Sequence, residues 1–190
     1  ALEHFGVLAS EKVFVSRDYH FNKVKTFHHM MDERTQEEPR AWDLEGATHR
    51  AGFKIEELVE FVRAASPSEE DFGQALSQLH QALDKAADKV AKKTPAQQDL
   101  IGQVDALIDT LYFTYGSFVL MGVDPERIFD IVHQANMGKI FPDGKAHFDP
   151  VTHKILKPDD WEEKYAPEPA IKKELQRQLK AYERHKERNK

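Results

Sequence analysis

The stretch FKIEELVEFVRA, residues 53–64, decides how this chain is read. At about 3.6 residues per helical turn, Glu57 and Glu60 project from one side, and Glu56 lies beside Glu60 at i, i+4. Ile55, Leu58, Val59 and Val62 form the neighbouring apolar stripe, so the three acids border the face such a helix would bury. Like charges this close repel one another, more strongly where water is excluded. A cation is therefore expected among them. A second acidic pair, Asp105 and Asp109, sits one turn apart in the apolar run QVDALIDTLYFTYG, residues 103–116. If the two helices pack through their apolar stripes, four or five carboxylates converge. Hard oxygen donors of this kind suit Mg²⁺ or Mn²⁺, ions that retain waters and commonly bind substrate phosphates. Taken singly, each acid reads as an ordinary solvated residue, because carboxylates are seldom buried; two pairs together favour a site.

Outward from this stretch the chain reads as all-α. Residues 1–18 form an extended lead-in containing the β-like run VFVS. Phe21, Val24, Phe27, His28 and Met31 recur at helical spacing and predict a first helix from Tyr19 to about Arg34. A polar, proline-bearing break at residues 35–42 precedes the organising helix, from about Asp43 to Ala65. Ser66-Pro67-Ser68 ends it, and Ser68 with Asp71 caps a helix over residues 69–93. Thr94-Pro95 opens a helix to Met121 that is apolar nearly all round its second half, the expected central core helix. Gly122 stops it, and Asp124-Pro125-Glu126 starts a helix reaching Asn136. Residues 139–169, rich in Pro, Asp and Lys, have no helical period and read as an irregular arm with a turn at Pro142-Asp143-Gly144 and a short strand at HKIL. The final segment, Glu168 to Lys190, is a charged helix with only Ile171, Leu175 and Leu179 as a stripe, expected to dock weakly. The expectation is one domain over residues 1–190, with four to five core helices at about 19–140 and the arm and last helix at 141–190.

Composition narrows the chemistry. The 190 residues suffice for one good core, and a formal charge of −6 disfavours a nucleic-acid backbone as partner. With no cysteine there are no disulfides, no thiolate nucleophile and no cysteine zinc site. No run approaches the roughly 20 apolar residues of a membrane helix, and the start lacks a signal-peptide pattern, so a cytoplasmic, membrane-free protein is expected. A di-iron bundle would need histidine at Glu-x-x-His spacing, whereas Glu60 follows Glu57 and Tyr112 follows Asp109. Gly-x-Ser-x-Gly, GxxxxGK[ST] and GxGxxG are all absent. An all-carboxylate magnesium site points to phosphate chemistry, which also demands cations. Arg50, Asn136, Lys139, Lys145, Lys154 and Lys157 are the candidates, with Asn136 and Lys139 sharing one face at the end of a helix.

In this order, the motifs Arg50-x-x-Phe53-x-x-Glu56-Glu57-Leu58-Val59-Glu60, Asp105-Ala106-Leu107-Ile108-Asp109 and Val132-His133-Gln134-Ala135-Asn136-Met137-Gly138-Lys139 resemble the MazG-like all-α nucleoside triphosphate pyrophosphohydrolases, closest to the phosphoribosyl-ATP pyrophosphohydrolase-like branch. The resemblance covers roughly residues 20–160 and implies a MazG-like helical bundle. It also implies a Mg²⁺ site from Glu-x-x-Glu and Glu-x-x-Asp: Glu57, Glu60 and Asp109 match, while the remaining position falls on Ala106, which cannot bind metal. Asp105, one residue earlier, is the candidate substitute. Asn136 and Lys139 match the nucleotide-contacting Asn-x-x-Lys element, and Arg50 a position assigned to phosphate or to a structural ion pair. The implied reaction converts a nucleoside triphosphate and water to the monophosphate and pyrophosphate. In it Glu56 would orient or deprotonate the water, and Lys139 with arm lysines such as Lys145 and Lys154 would meet the leaving group's charge. Relatives build their sites at bundle interfaces, so a homodimer or higher homo-oligomer is expected. The alternatives are a true phosphoribosyl-ATP pyrophosphohydrolase of histidine biosynthesis and a non-catalytic helical interaction protein on the same fold, which Ala106 would favour.

Overall fold

Asp43 shows how local sequence sets the elements. In the computed structural model, which describes residues 16–31, 36, 38–94, 99–151 and 154–189, its carboxylate accepts from the Gly46 backbone N–H at 2.7 Å and starts a helix at Leu44. The described residues form seven helices: α1 Tyr19–Met31, α2 Leu44–Ala65, α3 Glu69–Val90, α4 Leu100–Met121, α5 Glu126–Met137, α6 Trp161–Tyr165 and α7 Glu168–Arg188. Among these residues the sole β feature is an isolated antiparallel bridge between Phe148 and Ile155. The all-α reading therefore holds. Residues 13–15 of the VFVS run and Pro95 lie outside the described residues. The chain divides into two compact units, one of residues 38–112, the other of α1 and everything from Phe113 onward.

In the unit of residues 38–112, α2 and α3 pack as a hairpin. Ser66 caps the end of α2 through its N–H to the Arg63 carbonyl at 3.1 Å, and Ser68 Oγ accepts the Asp71 N–H at 3.1 Å, so the Ser-Pro-Ser turn satisfies both helix ends. Arg63 spans the turn, pairing with Glu69 and lying 4.9 Å from the centre of the Phe72 ring. The lead-in to α2 is held to α4 by a reciprocal pair. The Trp42 N–H donates to Gln103 Oε1 at 2.8 Å, and Gln103 Nε2 donates to the Trp42 carbonyl at 3.0 Å. A Cβ on Gly46 would stand 2.5 Å from the Trp42 ring, so this close approach requires glycine.

None of α2, α3 or α4 contains a buried residue. This corrects the expectation that the helix ending at Met121 is a central core helix: Ile108 is 58% exposed and Leu120 90% exposed. Its sequence is apolar nearly all round, yet none of its residues is buried.

In the other unit α5 lies between α1 and α7. Tyr19 Oη donates to Asp130 Oδ2 at 3.2 Å, and Lys23 pairs with the same carboxylate at 3.2 Å. The His20 ring stacks on Phe129 at 4.1 Å and shares a 2.8 Å hydrogen bond with Tyr115. Gly122, at φ +67°, ends α4 in a Schellman turn, with its N–H on the Val119 carbonyl and the Val123 N–H on that of Phe118. The last helix docks by polar groups instead of its weak apolar stripe. Gln178 exchanges hydrogen bonds of 2.9 and 2.8 Å with the Asp124 backbone, and Glu174 is buried, accepting from Arg177 at 2.7 and 2.6 Å. Leu179, on the expected stripe, is exposed.

The arm is more ordered than its composition suggests. Gly144, at φ +77°, makes the predicted turn, and the expected HKIL strand reduces to the single bridge at Ile155. Residues 161–165, read as irregular, form α6, and its Trp161 is among the most buried side chains described.

Candidate functional site

The two carboxylate groups lie on α2 and α4, and both helices present them outward. Glu56, Glu57, Glu60, Asp105 and Asp109 are all exposed. Among the described residues, no group of three or more histidine, aspartate or glutamate side chains stands close enough to hold a metal ion. A single copy of the chain thus displays the donors without bringing them together. The donor set is nonetheless right in chemistry for a hard divalent cation: all oxygen, all carboxylate, with no histidine or thiolate to select a softer metal. The apolar residues that border these acids, among them Ile55, Leu58, Phe61, Val104, Leu107 and Leu111, are exposed as well.

Arg50 is half-buried one turn before Phe53, its guanidinium 5.5 Å from the ring centre, and its carbonyl accepts Lys54 Nζ at 3.1 Å. Burial, and then the charge of Arg50, lowers the Lys54 pKa from the ordinary lysine value. Ala106 keeps its carbonyl in the helix, where it also accepts the Thr110 hydroxyl at 2.8 Å. Its methyl group offers no ligand.

Asn136 lies in the last turn of α5 and Lys139 two residues beyond its end. Lys139 Nζ donates to Asn136 Oδ1 at 2.8 Å, and both side chains are half-buried, so the i, i+3 spacing read from sequence is realised as one polar unit. The arm packs on the residues beside it. Trp161 Nε1 donates to the Ala135 carbonyl at 2.8 Å, and a Cβ on Gly138 would stand 2.4 Å from the Tyr165 ring. Lys157 lies 3.8 Å from the centre of the Trp161 ring and pairs with Glu162 at 3.1 Å. Lys145 and Lys154 are exposed along the arm. In the turn beside Lys145, Asp143 accepts from His147 at 2.8 Å, and that bond holds the Asp143 carboxyl below its usual range. Sequence reasoning missed the contacts of Trp161 and Tyr165 because a five-residue helix is too short to show a period. The usable signal was local: acidic Asp159, Asp160, Glu162 and Glu163 around Trp161, which favour a helix start.

Comparison with known proteins settles the class. Residues 24–136 match the family described as phosphoribosyl-ATP pyrophosphohydrolase, a span that contains the Glu helix and the Asp helix and ends on Asn136. A crystal structure from Exiguobacterium sp. 255-15, described as that of a "putative NTP pyrophosphohydrolase", is similar to this chain at 38% identity with a TM-score of 0.79, over 88% of this chain and 99% of the other. No curated protein matches. The chain belongs to the phosphoribosyl-ATP pyrophosphohydrolase family, and by that kinship to the nucleotide pyrophosphohydrolases. The MazG-like resemblance read from the motifs agrees with this. Among the described residues no helix is long and apolar enough to cross a membrane.

Proposed function

We propose that the protein is a Mg²⁺-dependent nucleoside triphosphate pyrophosphohydrolase that clears surplus or noncanonical nucleotides in the cytoplasm. The observation that carries this reading is the family match over residues 24–136, which takes in both carboxylate helices and reaches Asn136. Glu57, Glu60, Asp109 and, in place of the ligand missing at Ala106, Asp105 would hold the ion; Mn²⁺ could substitute. When bound, such an ion neutralises phosphate oxygens and makes a coordinated water more acidic. Glu56 orients the attacking water and takes up its proton. Lys139 meets the charge that develops on the leaving pyrophosphate, aided by Arg50, Lys145 and Lys154. Asn136 contacts the nucleotide and is oriented for it by its hydrogen bond with Lys139.

The site is completed in a homodimer or higher homo-oligomer. Helices α2, α3 and α4 bury no residue in the single chain, yet carry stripes of Leu, Ile, Val and Phe. Apolar surface of that extent gains stability when covered. A second copy that covers it brings further carboxylates against Glu57 and Glu60.

The test is pyrophosphate release with Mg²⁺ over a panel of ribo- and deoxyribonucleoside triphosphates, including dUTP and dCTP, together with phosphoribosyl-ATP, whose inclusion the family description favours. Turnover should fall in Glu57→Gln and Glu60→Gln by more than the ~10- to 100-fold that losing a mere outer-shell partner costs. Helix content should persist, since Gln and Glu have similar helix propensity. Unchanged turnover in both variants would remove the metal-site assignment. Silence of the wild-type protein across the panel would turn the reading to the non-catalytic alternative.

A further inference from the structure

We infer that Trp161 and Tyr165 are positioning residues for the Asn136–Lys139 unit, so that the arm is part of nucleotide recognition in this protein. This rests on the reading of Asn136 and Lys139 as nucleotide contacts. The argument begins with the backbone at the end of α5. In an uninterrupted helix the Lys139 N–H would bond the Ala135 carbonyl four residues back. Here it turns instead to the Asn136 carbonyl at 3.1 Å, and the Ile140 N–H takes that of Met137 at 3.2 Å, so the last turn tightens to i, i+3 bonds. The Ala135 carbonyl is buried and loses its helical donor. The Trp161 indole supplies the replacement at 2.8 Å, from a side chain only 6% exposed.

Tyr165 secures the other side of the same turn. It follows Trp161 by four residues and so lies on the same face of α6. Its ring sits on the backbone of Gly138, where three ring atoms would lie 2.4 to 2.7 Å from any Cβ. Only glycine admits that approach. Ala135 and Gly138, the residues the two aromatics grip, directly precede Asn136 and Lys139. The pair joined at 2.8 Å is therefore held from outside its own helix. Lys157, on the Trp161 ring at 3.8 Å, is drawn to the same end of α5 by the same indole. The arm thus sets where the polar unit points.

The experiment uses the full chain and the nucleotide with the highest kcat/KM in the panel above. Trp161→Phe keeps an aromatic ring but removes the N–H; Tyr165→Ala removes the ring from Gly138, while Tyr165→Phe retains it. Displacement of a binding unit raises KM. We expect KM to rise about tenfold in Trp161→Phe and Tyr165→Ala, short of the ~100-fold that a misplacement of 1 Å can cost in rate. We expect kcat to fall as well, by no more than KM rises, because Lys139 meets the leaving group's charge; Tyr165→Phe should behave as wild type, and Asn136→Ala should raise KM as well. A loss of kcat that tracks lost folded protein at constant KM means a merely structural role and overturns the inference. So does an unchanged KM in both aromatic variants while Asn136→Ala raises it. If Trp161→Phe fails to fold, Tyr165→Ala decides, since that side chain is 41% exposed and its loss disturbs less packing. Wild-type silence, or an Asn136→Ala variant with unchanged KM, defeats the functional reading itself and this inference with it.

Discussion

Leu58→Ala should weaken self-association without unfolding the chain. Leu58 lies on α2 between Glu57 and Glu60, and in the single chain 55% of it is exposed. Full burial of a leucine contributes about 1.5–3 kcal/mol, so covering the exposed half contributes about 1 kcal/mol. A two-fold interface uses the position twice, once from each copy, which makes about 2 kcal/mol per dimer. At about 1.4 kcal/mol per tenfold, the dissociation constant should rise roughly thirtyfold. Sedimentation equilibrium over a concentration series reads this directly. Leu179→Ala is the control, because that leucine on α7 is 58% exposed and belongs to the other unit. It should leave the dissociation constant within a few-fold. If Leu58→Ala sediments like wild type, or if the wild type is a monomer at every concentration, the partner copy is not what covers α2. The reasoning from exposure to assembly then fails.

Further predictions concern the metal, the backbone and pH. If Asp105 substitutes for the ligand missing at Ala106, Asp105→Ala should shift the Mg²⁺ activation curve to higher concentration; an unaltered titration returns Asp105 to the solvated acids. Gly122→Ala places a Cβ at φ +67° and should cost about 1–2 kcal/mol. For a chain of this length that lowers Tm by roughly 2–8 °C, and an unchanged melt would show that the turn relaxes freely. Glu174 accepts from Arg177 and Gln178, which hold its carboxyl down at about 2. A depressed carboxyl stabilises the fold above its ordinary value of 4.5, and that contribution is lost as pH falls from there towards 2. Wild type should therefore lose Tm more steeply than Glu174→Gln between pH 4.5 and 2, and parallel pH profiles would refute the assignment.

Much of the fold was legible because its signals are local. Asp43, Ser68, Gly122 and the Asp124-Pro125-Glu126 start each act within one turn, through side chains or φ preferences that any helix end must satisfy, and the structure places the boundaries accordingly. The candidate site was legible for a different reason. Glu57 with Glu60 depends on spacing along one helix, and helical geometry carries that spacing to three dimensions without help from tertiary contacts; Asn136 with Lys139 keeps its i, i+3 spacing through the tightened turn that follows Met137.

By itself, then, the sequence determined every described helix but α6, the helix ends at Ser68, Gly122 and Asp124-Pro125-Glu126, and the acidic faces of α2 and α4; the start it placed at Thr94-Pro95 lies instead at Leu100, where the Asp99 carboxylate accepts the Gly102 N–H at 2.9 Å. Only tertiary structure decided what those faces meet. An apolar stripe records that a surface should be covered and says nothing of what covers it, so the helix read as the core of the chain stands exposed along α4. The last helix docks through Gln178, which pairs with both backbone groups of Asp124, while Leu179 on its stripe stays exposed. Trp161 reaches Ala135 across 26 residues of chain, a distance over which spacing carries no information; folding closes that loop, and it seats the arm on the end of α5 beside Asn136.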